Sequence, residues 1–141
     1  MSEPRIVAFC GVAGSGKDHC AKEYESKGCI RLDFKDALLD VASNLCGFQV
    51  RKDYDWFKDA IVGIRKPSNP FQEGLARAEV RDRLAVNPDL MTGRRLLQRL
   101  GTDVFRKMDP DFWARSYVTK ATAILSSGRN IVTADCRFRN E

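Results

Sequence analysis

Apolar and polar positions fall into short blocks along the chain, and the period of each block predicts an element. Arg5 to Cys10 is a brief, partly β-branched apolar run and predicts a buried strand. Lys17 to about Lys27 predicts a helix, ended by Gly28 in a favourable C′ position. Cys29 to Leu32 predicts a second short strand. Asp33 is placed to cap a helix carrying Ala37, Leu38, Val41, Ala42 and Leu45 at helical spacing, stopped by Gly47. Strand, helix, strand, helix is the alternation of an α/β fold, an open parallel sheet flanked by helices.

The middle of the chain is less regular. Arg51 to Lys58 predicts a short helix bearing Tyr54, Trp56 and Phe57, and Pro67, Pro70 and Gly74 break the pattern before a helix from Leu75 to Leu84. Within a single domain spanning residues 1–141, residues 48–92 are a less regular insertion, read either as a cover on the substrate side or as a plain surface excursion. Thr92 caps a helix from about Gly93 to Leu100, and Gly101-Thr102 interrupts it, with Thr102 capping a further turn that holds Val104, Phe105 and Met108. Asp109-Pro110 starts a helix running to about Ser127, and Gly128 ends it. Asn130 to Ala134 is the third strand, leading into Asp135 to Glu141. Three strands make a thin sheet beside the usual about five. The last residues read as the exit from a strand, so a truncated or shortened chain is expected.

Composition narrows the class. The chain has 141 residues, 43% hydrophobic and 30% charged, which is ordinary for a soluble domain. No apolar run approaches the about 20 residues needed to span a bilayer, and no signal-peptide core follows the start. A cytoplasmic location is expected. Five cysteines without a C-x-x-C pair, and the single His19, are too few for a zinc site of ordinary spacing. The net charge of +5 favours anionic partners, nucleotides or nucleic acid, without choosing between them.

The strongest chemical signal is Gly11-Val12-Ala13-Gly14-Ser15-Gly16-Lys17-Asp18, between the first strand and the first helix. It fits the phosphate-binding pattern G-x-x-x-x-G-K, with Asp18 where Ser or Thr usually follows. Glycines permit positive φ, so successive N–H groups converge on phosphate oxygens, and the helix that follows points its positive end at the same place. Lys17 adds a mobile charge for β- and γ-phosphates.

In an open parallel sheet ligands bind beyond the carboxyl ends of the strands, where the loop, Asp33-Phe34-Lys35 and Asp135-Cys136-Arg137 all fall. Asp135 suits Mg²⁺ binding or a role as base, against a plain capping role, and Arg137 beside it suits bidentate phosphate binding. Asp18 either binds the same cation or only stabilises the first helical turn. The arginine-rich run Arg94 to Asp103 offers N–H groups at its Gly-Thr break to a second anion, or is a solvated helix face. Trp113 reads as core more readily than as a stacking platform.

The motifs G-V-A-G-S-G-K-D, R-R-L-L-Q-R-L-G-T-D with D-P-D-F-W, and T-A-D-C-R-F-R-N-E together resemble the phage-type deoxynucleoside monophosphate kinases. The likeness covers the order and spacing of motifs over nearly the whole chain. It implies a P-loop NTPase fold like that of the nucleoside monophosphate kinases, and ATP with Mg²⁺ phosphorylating a deoxynucleoside monophosphate to the diphosphate. On that resemblance Gly11, Gly14, Ser15, Gly16, Lys17, Asp18 and His19 lie on the ATP phosphates. Lys35, Arg65, Arg94, Gly101, Thr102 and Trp113 line the monophosphate pocket, Asp135 and Arg137 lie near the reacting phosphates, and Asp18 and Asp135 are the Mg²⁺ candidates. Lys17, Asp135 and Arg137 are the residues implied in catalysis. The chain departs from its relatives at Ala13 and Gly14, where some carry bulkier basic residues, and relatives continue with further strands beyond the motif that ends at Glu141.

The implied partner is a small-molecule nucleotide, with no nucleic acid and no membrane, and a homodimer is admitted. If the chain is phage-encoded, its location is the host cytoplasm. The rival readings are a kinase for another small substrate, resembling the animal phosphomevalonate kinases, an inactive nucleotide-binding module, and a basic nucleic-acid binder supported by net charge alone.

Overall fold

The computed structural model describes residues 2–137. In chain order the elements are β1 (Ile6–Cys10), α1 (Lys17–Ser26), β2 (Ile30–Arg31), α2 (Lys35–Cys46), α3 (Tyr54–Asp59), α4 (Pro70–Val86), α5 (Gly93–Gln98), a π-helical segment (Arg99–Phe105), α6 (Arg106–Met108), α7 (Phe112–Ser126) and β3 (Ile131–Cys136). They divide into two compact units, with the boundaries at Leu38/Leu39 and Lys107/Met108.

One unit is built on a sheet. β3 lies centrally and runs parallel to both β1 and β2, in the order β1-β3-β2. Ile6, Val7 and Ala8 sit opposite Ile131, Val132 and Thr133, while Ile30 and Arg31 sit opposite Ile131 and Val132. Alternation along β3 sends its side chains to two covered faces. Val132 and Ala134 pack with Ala21 of α1, and Ile131 packs with Leu32, Phe34, Tyr117 and Ala121. The Phe34 and Tyr117 rings stack at 4.1 Å. β1 is an edge strand: Ile6, Ala8 and Cys10 are exposed, and only Val7 and Phe9 turn inward.

The P-loop NTPase fold implied by the resemblance is overturned by this architecture. The described residues form a small α/β protein whose parallel sheet has three strands, too small and too incomplete for that fold. The reason lies in where the chain goes: Leu39–Lys107 leaves the sheet and forms a separate helical unit with its own core. The α/β character and the parallel strands remain.

In that helical unit Leu39, Ala42, Val50 and Phe57 form the core, with Phe48, Leu96 and Leu97 packed against it. α5 meets α3 closely. Gly93 donates to Ala60 O at 3.1 Å, and a Cβ at Gly93 would stand 2.1 Å from Phe57 O. Only glycine fits there.

Two local expectations are corrected. The break at Pro67, Pro70 and Gly74 is in fact largely helix, because α4 begins at Pro70. Asn69 Oδ1 accepts the Phe71 N–H at 2.8 Å, and Pro70 stands at the first helical position, where its missing N–H costs nothing. Gly101-Thr102 does not interrupt its helix either. The turn widens into the π-helical segment and continues to Met108, with Gly101 buried and Thr102 exposed. Among the described residues no helix is long and apolar enough to cross a membrane.

Candidate phosphate-binding site

The loop from Gly11 to Gly16 joins β1 to α1 and is exposed throughout. Gly14 (φ 79°) and Gly16 (φ 86°) occupy the left-handed region, which a side chain would strain. Gly16 is the N-cap of α1 and supplies no capping side chain. The first-turn N–H groups, which have no partners inside any helix, are therefore presented toward the loop together with the positive end of α1. Lys17 Nζ arches back over the loop, donating to Gly11 O at 2.6 Å and Val12 O at 2.7 Å. The groups this loop can offer an anion are the first-turn amides of α1 and the Lys17 ammonium, with no carboxylate from Gly11 to Gly16, while the Ser15 N–H is used on Val12 O at 3.3 Å.

Around the loop the sheet unit gathers charged groups. Arg31, at the end of β2, donates from Nε to Asp33 Oδ2 at 2.9 Å and pairs through Nη2 with Asp18. The Arg31 bond holds the Asp18 carboxyl below its ordinary value, and the charges of Lys35 and Lys17 act in the same direction. Arg31 itself was not singled out by motif reasoning. Its signal is positional, a basic residue at the carboxyl end of a strand one step from Leu32-Asp33.

Asp33 is buried, and its Oδ1 accepts the Ala134 N–H at 2.9 Å. The cap expected from Asp33 comes instead from Asp135, about a hundred residues further on. Asp135 Oδ1 accepts the Phe34 N–H at 2.8 Å and Oδ2 accepts the Lys35 N–H at 2.9 Å, so β3 caps the start of α2. Burial pushes the Asp135 carboxyl above its ordinary value, and the nearby Asp33 charge adds to this, while the Lys35 and Phe34 N–H groups offset part of it. Behind these carboxylates the Thr133 hydroxyl donates to Leu32 O at 2.7 Å. Its single proton is thereby used, so Tyr117 OH is the donor in the 2.6 Å contact between the two hydroxyls.

The remaining candidates fall on both units. Lys35, Arg137 and Trp113 belong to the sheet unit, where Arg137 is exposed and Trp113 is buried with Phe112 edge-on at 4.7 Å. His19 is an exposed first-turn residue of α1. Arg65, Arg94, Gly101 and Thr102 belong to the helical unit. There Arg65 donates to Gly47 O at 3.1 Å, with its guanidinium 5.7 Å from the Phe48 ring centre, and Arg94 pairs with Asp59 at 3.0 Å. The end of the last motif, Phe138 to Glu141, lies outside the described residues.

Among the described residues no group of three or more His, Cys, Asp or Glu side chains could hold a metal ion. Mg²⁺ does not require such a cage, since it is commonly bound by one or two carboxylates plus substrate phosphates. The Asp18 carboxylate, 73% exposed beside the loop, fits that mode. Compared with known proteins, the chain matches no protein-family model and no curated protein.

Proposed function

We propose that this chain binds the phosphates of ATP at Gly11 to Lys17 and transfers the terminal phosphoryl group to a deoxynucleoside monophosphate. The observation that carries the reading is the loop itself: Gly16 in the left-handed conformation at an uncapped helix N-terminus, with the Lys17 ammonium arched across the same loop. The spacing of the Leu-Gly-Thr-Asp and Asp-Cys-Arg motifs supports the choice of acceptor.

Phosphoryl transfer asks the protein mainly for positioning and for charge placed where the transferred group carries it. The loop amides and Lys17 hold the donor, and Lys17 exchanges its carbonyl partners for phosphate oxygens. We assign bidentate phosphate binding to Arg137, which is exposed just beyond β3. When bound, Mg²⁺ neutralises charge on the β- and γ-phosphates, with Asp18 or Asp135 as the carboxylates to hold it. Asp135 also fixes the Phe34-Lys35 turn, so its loss would disturb the site even without metal.

The test is ADP release by the full chain with a panel of deoxynucleoside monophosphates and with mevalonate phosphate. Lys17→Ala is expected to reduce turnover at least a hundredfold, the range seen when one preorganised charge is removed from a transition state. Unchanged turnover in that variant overturns the loop assignment. Turnover with mevalonate phosphate and with no monophosphate overturns the acceptor.

A further inference from the structure

β1 and β3 each end in a cysteine at the carboxyl edge of the sheet, Cys10 one residue before Gly11 and Cys136 one residue before Arg137. The two stand directly opposite each other in the parallel ladder. Continued without a break, the pairing of Ala8 with Thr133 would set Cys10 against Asp135. The irregularity between Ala8 and Cys10 gives β3 one residue more than β1 over that stretch and brings Cys136 opposite instead.

That extra residue also decides which way the sulfurs point. Side chains alternate along a strand, and opposed residues of neighbouring strands project to the same face. Phe9 packs on the side of Ala21, Val132 and Ala134, so Cys10 projects to the other side with Ile6 and Ala8. Cys136 packs against the cluster of Ile131, Phe34 and Tyr117, which lies on that same other side. The two thiols therefore share one face. Opposed positions on neighbouring strands stand about 4.8 Å apart. That falls within the span of about 4.4–6.8 Å between the Cα atoms of a disulfide. Neither cysteine is in a disulfide here, and Cys10 is exposed while Cys136 is half-buried, so an oxidant in solution reaches the first with the second beside it. Cys20 and Cys46 lie on helices and Cys29 precedes β2. Among the described residues, strand pairing sets none of these three against another cysteine.

We propose that Cys10 and Cys136 form a reversible dithiol–disulfide site, oxidised by low-molecular-weight disulfides such as glutathione disulfide, which fastens the end of β1 to β3 directly ahead of the glycine loop. The Cys10 thiolate attacks one sulfur of the glutathione disulfide, forming a mixed disulfide and releasing one glutathione thiolate. The Cys136 thiolate then attacks Cys10 Sγ and expels the second glutathione thiolate. Two protein thiols are oxidised to one disulfide, one glutathione disulfide is reduced to two thiols, and the two protons lost by the protein are taken up by the glutathione thiolates. The closing movement falls at the irregularity, where the ladder is already disrupted. No step draws on the proposed phosphoryl transfer, so the two readings fail separately.

The test treats the folded full chain with glutathione disulfide, traps the remaining thiols with iodoacetamide in acid-quenched samples, and maps unreduced peptides by mass spectrometry. The cross-link between Cys10 and Cys136 is expected to exceed any other pairing at least tenfold, to vanish with dithiothreitol, and to lose its preference when the oxidation is run in concentrated urea. Cys10→Ser and Cys136→Ser should each stop at a glutathione adduct on the remaining partner. Because the bond closes nearly the whole chain into a loop, the oxidised form should also unfold at higher urea than the reduced form. Preferential linkage through Cys20, Cys29 or Cys46 overturns the proposal, as do glutathione adducts alone or links only between two chains. A urea midpoint that does not rise on oxidation overturns it as well, since the bond would then form against the fold.

Discussion

In the sheet unit, the groups that tie β3 to the turn between β2 and α2 are polar and distant in sequence. Asp135 reaches Phe34 and Lys35, Ala134 reaches Asp33, and Thr133 reaches Leu32, all across about a hundred residues. In the helical unit, the order comes from local caps, such as Asn69 on Phe71 and Thr92 on Arg95, and from apolar contact around Phe57. The first arrangement depends on the presence of particular acceptors, because an abandoned buried N–H keeps its full desolvation cost. The second depends on volume, because close packing leaves no room for added atoms. The two units should therefore fail for different reasons, and each carries its own reporter, Trp113 in the sheet unit and Trp56 in the helical one.

The largest effect is expected from Asp135→Ala, which strips the acceptor from two N–H groups at once and should cost about 3 kcal/mol. In urea titrations of single-tryptophan chains, the Trp113 signal should shift the most. Gly93→Ala should cost about 2 kcal/mol by forcing Phe57 away from α5, with the shift read chiefly at Trp56. Equal shifts of both reporters in both variants would dissolve the contrast between the units. Tyr117→Phe is milder. It removes one donor from Thr133 while keeping the ring stack on Phe34, for about 1 kcal/mol seen at Trp113.

The pH response should be the smallest effect and has two opposite signs. The Asp18 carboxyl lies below its ordinary 3.8, so its stabilising contribution is present above that pH and is lost as pH falls through the lowered value. The Asp135 carboxyl lies above 3.8, so the folded chain holds that proton more tightly than the unfolded one. Its contribution is full below 3.8 and fades as pH rises through the raised value. Urea midpoints compared from pH 3 to 7 should show Asp18→Asn converging on the unaltered chain as pH falls. Asp135→Asn should differ from it in a way that moves oppositely with pH.

The legible parts of the sequence were those fixed by near neighbours. The three strands, the stops at Gly28, Gly47 and Gly128, and the Thr92 cap all follow from a few adjacent residues, and each stands close to its expected place. The glycine turn between β1 and α1 was equally local. What escaped depended on distant partners or on tolerance of a local signal. Asp33 looks like a cap for α2, but Arg31 and Ala134 occupy its oxygens and Asp135 arrives from β3 to do the capping. Pro70 reads as a breaker until Asn69 makes it a first helical residue. The Gly101-Thr102 break disappears because the helix widens around a buried glycine. The P-loop NTPase expectation came from the resemblance and failed at a larger scale: the three strands read from the pattern do join one sheet, but Leu39–Lys107 builds a helical unit of its own instead of enlarging it.

β1 contributes five residues to the margin of the sheet, while β2, at the opposite margin, contributes two. Its outward backbone groups and the exposed Ile6, Ala8 and Cys10 form an apolar border with no charged side chain between Ile6 and Cys10, broken by an irregularity in the pairing between Ala8 and Cys10. Unpaired backbone groups on such a border can pair with an extended strand, and the irregularity between Ala8 and Cys10 shortens the run available for it. The stretch that leads into the phosphate-type loop is thus also where crowding should act on the molecule first.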